Sequence, residues 1–235
     1  MATQALRSLG ILNLERGVLP GATPPKPRPG SLLNPATFDF PVIVETVEGA
    51  WADRVVRGDP TLESACIVAA RRLVERGAVA ISSNCGFFIR HQAAVAGSVN
   101  VPVALSSLLL IPLLLRQLPP LAKLAVLTID STNCSKDLFA VDNPADLERI
   151  VIGGIENGTF WKNEMMRPPP PTDLSDIEAD VTACIKRLCS AHPEIALILF
   201  ECTGFPLIAP AIRRAVGLPV YDITTLSGAT VASVK

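Results

Sequence analysis

The chain lacks what a metal or disulfide scaffold needs. Its 235 residues hold only two histidines, and none of its six cysteines has a Cys-x-x-Cys partner. No His/Cys cluster has zinc spacing, so no metal is expected. It also lacks a Lys/Arg-rich run. Lys and Arg number 21 against 22 Asp and Glu, for a net charge of −1. That balance gives no electrostatic footprint for nucleic acid or an anionic membrane, and neither partner is expected. Charge is sparse overall at 18%, whereas apolar residues reach 49%. Such a composition can bury a substantial core, so disorder is excluded as the general state.

The charge-free stretch from Gln92 to Leu115 is long enough to cross a bilayer. It nevertheless holds Gly97, Ser98, Asn100, Pro102, Ser106, Ser107 and Pro112, which would be costly in lipid. A buried strand followed by a buried helix is the expected form. The opening "MATQALRSLGILNLERG" reaches Glu15 and Arg16 before a signal-peptide core develops. With cysteines scattered rather than packed into a small scaffold, the expectation is a cytoplasmic protein with reduced thiols.

What the chain does have is an alternation of apolar strands and amphipathic helices. Strands are expected at 8–14, 41–47, 78–83, 101–107, 123–129, 147–154 and 195–200. Helices are expected at 62–77, closed by Gly77, and at 173–192. Prolines at 20, 24, 25, 27, 29, 35 and 41 make 17–41 a loop, and "MMRPPPPTD" (165–173) reads as a stiff connector. The alternation predicts an α/β fold built from parallel βαβ units.

The halves repeat. In each, a basic helix end precedes an apolar strand that runs into a cysteine, Cys85 in "AISSNCGFF" and Cys202 in "LILFECTGFP". Pro102 follows Cys85 by 17 residues (102 − 85), and Pro219 follows Cys202 by 17 (219 − 202). Both prolines begin a Pro-Val strand start, "VPVALSSL" and "LPVYDITTL". This predicts a duplicated α/β unit with a cysteine at the carboxyl end of a parallel strand in each half, where open α/β sheets bind ligands.

A thiol opening a helix is pushed toward its thiolate, which suits proton transfer. Backbone N–H groups at Asn84, Gly86, Thr203 and Gly204 are candidates to hold a carboxylate. Asn34, Ser106, Ser107, Thr128 and Thr203 fall in loops or at strand ends and are candidates for a polar ligand, or for caps and turns. Phe87 stands beside Cys85 and either favours a less polar ligand or fills the core. Other readings of the two cysteines are a Cys–His nucleophile with His91 or His192, and plain buried thiols. The buried-thiol reading is assigned to Cys66, Cys184 and Cys189, which lie in amphipathic helices, and favoured for Cys134.

The two cysteine loops, with "VPVALSSLLLIP" and "GLPVYDITTL" behind them, resemble the aspartate/glutamate/hydantoin racemase superfamily over nearly the whole chain. "PRPGSLLNPATFDFPV" (27–42) resembles the N-terminal loop of one branch of it. Glutamate racemases proper carry Asp-Ser-Gly after the first strand and Asn-Thr after the first cysteine. Here these regions read "NLERGVLPG" and Gly86-Phe87, so a different branch is indicated.

The resemblance implies two pseudo-symmetric lobes, each a parallel sheet flanked by helices, with the active site in the cleft between them. The expected division is 1–115 plus 215–235, and 116–214. It also implies a cofactor-independent racemase or epimerase of an amino acid or related small carboxylate. Cys85 and Cys202 would be the acid/base pair, Thr203 would bind the carboxylate, and Asn34, Ser106 and Ser107 would lie on ligand-contacting loops. A maleate-type isomerase or an arylmalonate-type decarboxylase would share this fold, and so would a non-catalytic ligand-binding protein. A homo-oligomer is left open.

Overall fold

The structure is a computed structural model that describes residues 7–17 and 26–234. Pro20, Pro24 and Pro25 of the expected loop lie outside the described residues. The first half runs β1 (Ser8–Asn13), β2 (Val42–Thr46), α1 (Ala52–Val56), α2 (Glu63–Glu75), β3 (Ala78–Ser83) and α3 (Gln92–Ala96). The second runs α4 (Ile111–Gln117), β4 (Lys123–Thr128), α5 (Pro144–Glu148), β5 (Ile150–Gly154) and α6 (Thr159–Glu164). It continues through α7 (Leu174–Ala191), β6 (Ile195–Phe200), α8 (Ala209–Val216), β7 (Val220–Tyr221) and α9 (Ile223–Ala232).

The chain divides into two units, Met1–Ser106 with Thr224–Lys235, and Ser107–Ile223. The sequence-based division lay at 115/116 and 214/215. The structure assigns α4 to the second unit, and also β7, which pairs with β6 there.

Each unit is built around a parallel sheet flanked by helices, as expected. The first sheet has the order β2-β1-β3 and the second β5-β4-β6-β7. Every strand pair is parallel. Sheets covered by helices on their faces need apolar residues on both sides of a strand. Accordingly "GIL" in β1 and "LAVLT" in β4 are buried throughout. α2 turns Cys66, Ala69, Ala70 and Leu73 inward, and α7 does the same with Ile177, Val181, Cys184, Ile185 and Leu188. Gly77 ends α2 with a φ of 92°, the left-handed region its lack of a Cβ permits.

The duplication extends to the hydrogen bonds. β1–β3 shifts register between Ser8 and Leu9, and β4–β6 shifts between Lys123 and Leu124. Ile81 N donates to Pro102 O and Ile198 N to Pro219 O, both at 2.9 Å. Val103 bridges Ile81 as Val220 pairs with Ile198.

Several segments differ from the sequence reading, α1 and α9 among them, which lie where no helix was expected. The strand expected at 101–107 is one isolated bridge, Ile81 to Val103. Side chains there take over from a ladder: Ser82 Oγ donates to Ala104 O, Ser83 Oγ to Leu105 O, and Gln92 bonds Val103 O and Leu105 N. The segment 147–154 splits into the end of α5 and β5. Finally α6, unanticipated, has its Phe160 N–H capped at 3.3 Å by Asp180 of α7. Among the described residues no helix is long and apolar enough to cross a membrane.

Candidate functional site

In both units the chain leaves the third-position strand by the same route. Asn84 N donates to Leu12 O at 3.0 Å and Glu201 N to Leu127 O at 2.8 Å. The cysteine comes next, and its carbonyl accepts from the residue three on: Phe88 N to Cys85 O and Phe205 N to Cys202 O, both at 3.1 Å. A 3-10 turn follows in each case, Gly86–His91 and Phe205–Leu207, before α3 and α8. Cys85 is 9% exposed and Cys202 is half-buried.

In the first unit, Asn84 is a structural tie. Its N–H is spent on Leu12, its Oδ1 accepts from Leu14 N at 2.8 Å, and its Nδ2 donates to Asn13 Oδ1 at 2.5 Å. Ser83 Oγ donates to Leu105 O at 2.6 Å, which brings the chain just before Ser106 beside the Asn84–Cys85 turn. Ser106 is fully buried, and Gly86 and Phe87 are buried with it. Asn34 is bound within its own loop. Its Oδ1 accepts from Ala36 N and its Nδ2 donates to Pro27 O, capping the turn Pro35–Thr37.

In the second unit, Thr128 closes β4 and donates to Glu201 Oε2 at 2.8 Å. Glu201 is 0% exposed, and Oε1 has no hydrogen-bond partner among the described residues. Burial pushes this carboxyl up to about 7. The Thr128 hydrogen bond opposes the rise and the charge of Asp130 adds to it. Asp130 behaves oppositely: burial works against its ionisation, but hydrogen bonds from Thr132, Trp161 and Asn133 hold it below its ordinary value. Ser107 Oγ donates to Phe200 O at 2.7 Å, fixing the start of the second unit against β6. Thr203 and Gly204 follow Cys202 directly and are half-buried.

The remaining thiols and imidazoles sort by environment. None of the six cysteines is in a disulfide. Burial pushes the Cys66 thiol up to about 12, with Glu63 adding, and the Cys184 thiol up to about 11. Burial also raises Cys189, and Cys134 is 1% exposed. His91 is buried and its basicity is lowered for that reason, whereas His192 sits beside Lys123 and Glu194. No group of His, Cys, Asp and Glu among the described residues could hold a metal.

The structure thus brings Asn84, Cys85, Gly86, Phe87 and Ser106 into one region of the first unit. Thr128, Cys202, Thr203, Gly204 and Ser107 gather around the β4 and β6 ends of the second. Among the described residues Asn34 bonds instead within its own loop, to Pro27 and Ala36. Asn13 and Asp130 escaped the sequence reading, and the signal for both was their place at the ends of β1 and β4.

No protein-family model matches the chain. A dimethylsulfoniopropionate lyase of Durusdinium sp. clade D is 30% identical over 204 residues, covering 83% of this chain and 67% of the relative. Dimethylsulfoniopropionate lyase 2 of Emiliania huxleyi is 27% identical over 235 residues, covering 84% of this chain and 66% of the relative. The chain therefore spans about two thirds of the length of these relatives. Among solved structures, a glutamate racemase of Bacillus anthracis matches with a TM-score of 0.60 at 13% identity, over 98% of this chain and 82% of that one. Unliganded arylmalonate decarboxylase matches with a TM-score of 0.51 at 18% identity, over 92% of this chain and 86% of that one. At those identities the likeness shows a shared fold, the two-lobed α/β fold expected from the cysteine loops. Sequence identity goes further, and the chain belongs to the family of the dimethylsulfoniopropionate lyases.

Proposed function

We propose that this chain is a cofactor-independent lyase that removes the proton next to a carboxylate and expels a sulfur leaving group from the following carbon, with dimethylsulfoniopropionate as substrate. The observation that carries the reading is the matched placement of Cys85 and Cys202, each one residue past the end-tie of a parallel strand and opening a helical turn. The names of the relatives choose the substrate.

The substrate carries a carboxylate at one end and a dimethylsulfonium on the carbon β to it. A thiolate takes the α-proton, and the C–H electron pair becomes the Cα=Cβ double bond. The Cβ–S bond breaks with its pair going to sulfur. The zwitterion becomes acrylate, neutral dimethyl sulfide and a proton that passes from the thiol to water, with no change of oxidation state that would call for an electron carrier. Cys85 and Cys202 are the candidate proton-transfer thiols. Backbone N–H groups of Gly86, Thr203 and Gly204 are the candidates for holding the carboxylate, where negative charge builds up as the proton leaves. Asn84 is a positioning group in this scheme, since its own N–H and amide are already engaged.

A second reading, racemisation or epimerisation of a small carboxylate, is favoured by the equivalence of the two cysteines. Elimination needs one base, whereas inversion needs one group to take a proton and another to return one. One experiment separates the two. The protein is incubated with dimethylsulfoniopropionate in deuterated water, with dimethyl sulfide followed in the headspace and acrylate by NMR. Release of both products supports the lyase. Absence of product, together with α-deuterium exchange and inversion of a chiral amino acid such as aspartate, selects the racemase.

A further inference from the structure

Glu201 precedes Cys202 directly in the chain and sits where the first unit has Asn84 before Cys85. Both side chains are tethered to the residue that ends the neighbouring strand, Asn84 to Asn13 and Glu201 to Thr128. The amide of Asn84 is engaged at both of its atoms. The carboxyl of Glu201 is engaged at one oxygen only, and it is fully buried. A buried carboxylate with a single hydrogen bond is expensive as an anion. The charged group that acts on it among the described residues is Asp130, beyond the end of β4. Asp130 is itself kept ionised by three hydrogen-bond donors, so it opposes a second negative charge nearby. The next residue in the chain is the half-buried Cys202. Two negative charges on consecutive residues, Cα atoms about 3.8 Å apart, oppose one another.

We propose that Glu201 is a positioning residue for Cys202: it ties the strand end to β4 through Thr128, while neutral it lets the thiol ionise, and as an anion it holds the thiolate back. The second unit therefore has a titratable version of a tie that the first unit makes with an amide. The assignment rests on reading Cys202 as a proton-transfer thiol, but the tie and the charge coupling can be measured without substrate.

The test is the pH profile of Cys202 alkylation by iodoacetamide, read by mass spectrometry of the peptide that contains it, in the unaltered protein and in Glu201→Gln and Thr128→Val. Glu201→Gln keeps the amide-like tie and removes the charge. It is expected to lower the Cys202 midpoint by about half a pH unit or more while leaving the Cys189 profile in place. Thr128→Val removes the hydrogen bond that favours the anion, so Glu201 stays neutral to higher pH and the Cys202 midpoint moves in the same direction. If Glu201→Gln does not fold, Thr128→Val decides. An unmoved Cys202 midpoint overturns the proposal, even where turnover depends on Cys202. Turnover that survives Cys202→Ser takes Cys202 out of the functional reading instead and leaves the alkylation result standing.

Discussion

Thr128 donates its hydroxyl hydrogen to Glu201 at 2.8 Å, and Asn13, its counterpart in the first unit, accepts from Asn84 at 2.5 Å. Each candidate cysteine thus follows a residue, one past the end of its strand, whose side chain is tied sideways to the adjacent strand. Such a tie fixes the backbone from which the thiol projects, and positioning within fractions of an ångström governs proton transfer. The two ties differ in one respect that matters for pH: the acid can change charge and the amide cannot.

That difference sets a stability profile. The ordinary glutamate carboxyl ionises near 4.5, and in the folded protein burial raises it to about 7. Between those values the unfolded chain gives up the proton and the folded one keeps it, so stability falls as pH rises through the window. It is greatest below the lower value and level above the upper one. The slope is bounded at about 1.4 kcal/mol per pH unit. Glu201→Gln removes it. Chemical denaturation at a series of pH values is expected to show the variant gaining on the unaltered protein from acid to neutral pH. Parallel curves over that range would mean that Glu201 ionises normally.

The functional reading predicts that Cys85→Ser and Cys202→Ser each leave a folded protein with much less turnover of dimethylsulfoniopropionate. A positioned proton-transfer group contributes roughly 10²- to 10⁴-fold, and a serine hydroxyl is a far weaker acid than a thiol. Dimethyl sulfide release is the measurement, with circular dichroism as the control for folding. If only one variant loses activity, a single thiol is the base and the other has a positioning or binding part. If both keep it, neither thiol carries the proton.

Thiol chemistry should separate the cysteines. Cys66 and Cys184 are buried, with thiols raised to about 12 and about 11, so almost none of either is thiolate near neutrality. Alkylation of the native protein by iodoacetamide near pH 7.5 is expected to spare both while modifying half-buried Cys202. Rapid labelling of Cys66 would show that α2 opens readily from its sheet.

The strands, α2, α7 and the two cysteine loops were legible because each is written locally: an apolar run, a stripe at helical spacing, a cysteine at a fixed distance from a Pro-Val pair. What stayed hidden depends on contacts between distant residues. The Asn13–Asn84 and Thr128–Glu201 ties join positions 71 and 73 residues apart. The helix α6 gains its cap from Asp180, twenty residues on from Phe160. The strand expected after Pro102 contracts to a bridge because Ser82, Ser83 and Gln92 satisfy its backbone from the side. Nothing in "VPVALSS" itself announces those partners. Asn34 looked like a ligand group because it stands in a Pro-rich loop, and its amide is used to cap that loop.

The close packing of α7 on β5 offers a test of the second unit that is independent of any chemistry. A Cβ placed on Gly153 would lie 2.6 Å from Leu188 Cδ1 and 2.7 Å from Cys184 Sγ. Neither approach is tolerable without movement. Leu188 is at the end of the buried stripe and can swing, but Cys184 has a short side chain, 1% exposed, with little room to yield. Gly153→Ala is therefore expected to cost about 1–3 kcal/mol in urea unfolding, the usual penalty for overfilling a packed core. In a Leu188→Ala background half of the clash is gone, so the same substitution should cost less. That coupling, read from a double-mutant cycle, is the decisive quantity. An equal cost in both backgrounds would mean that Cys184 alone sets the penalty, and no cost in either would mean that the helix does not rest on this glycine.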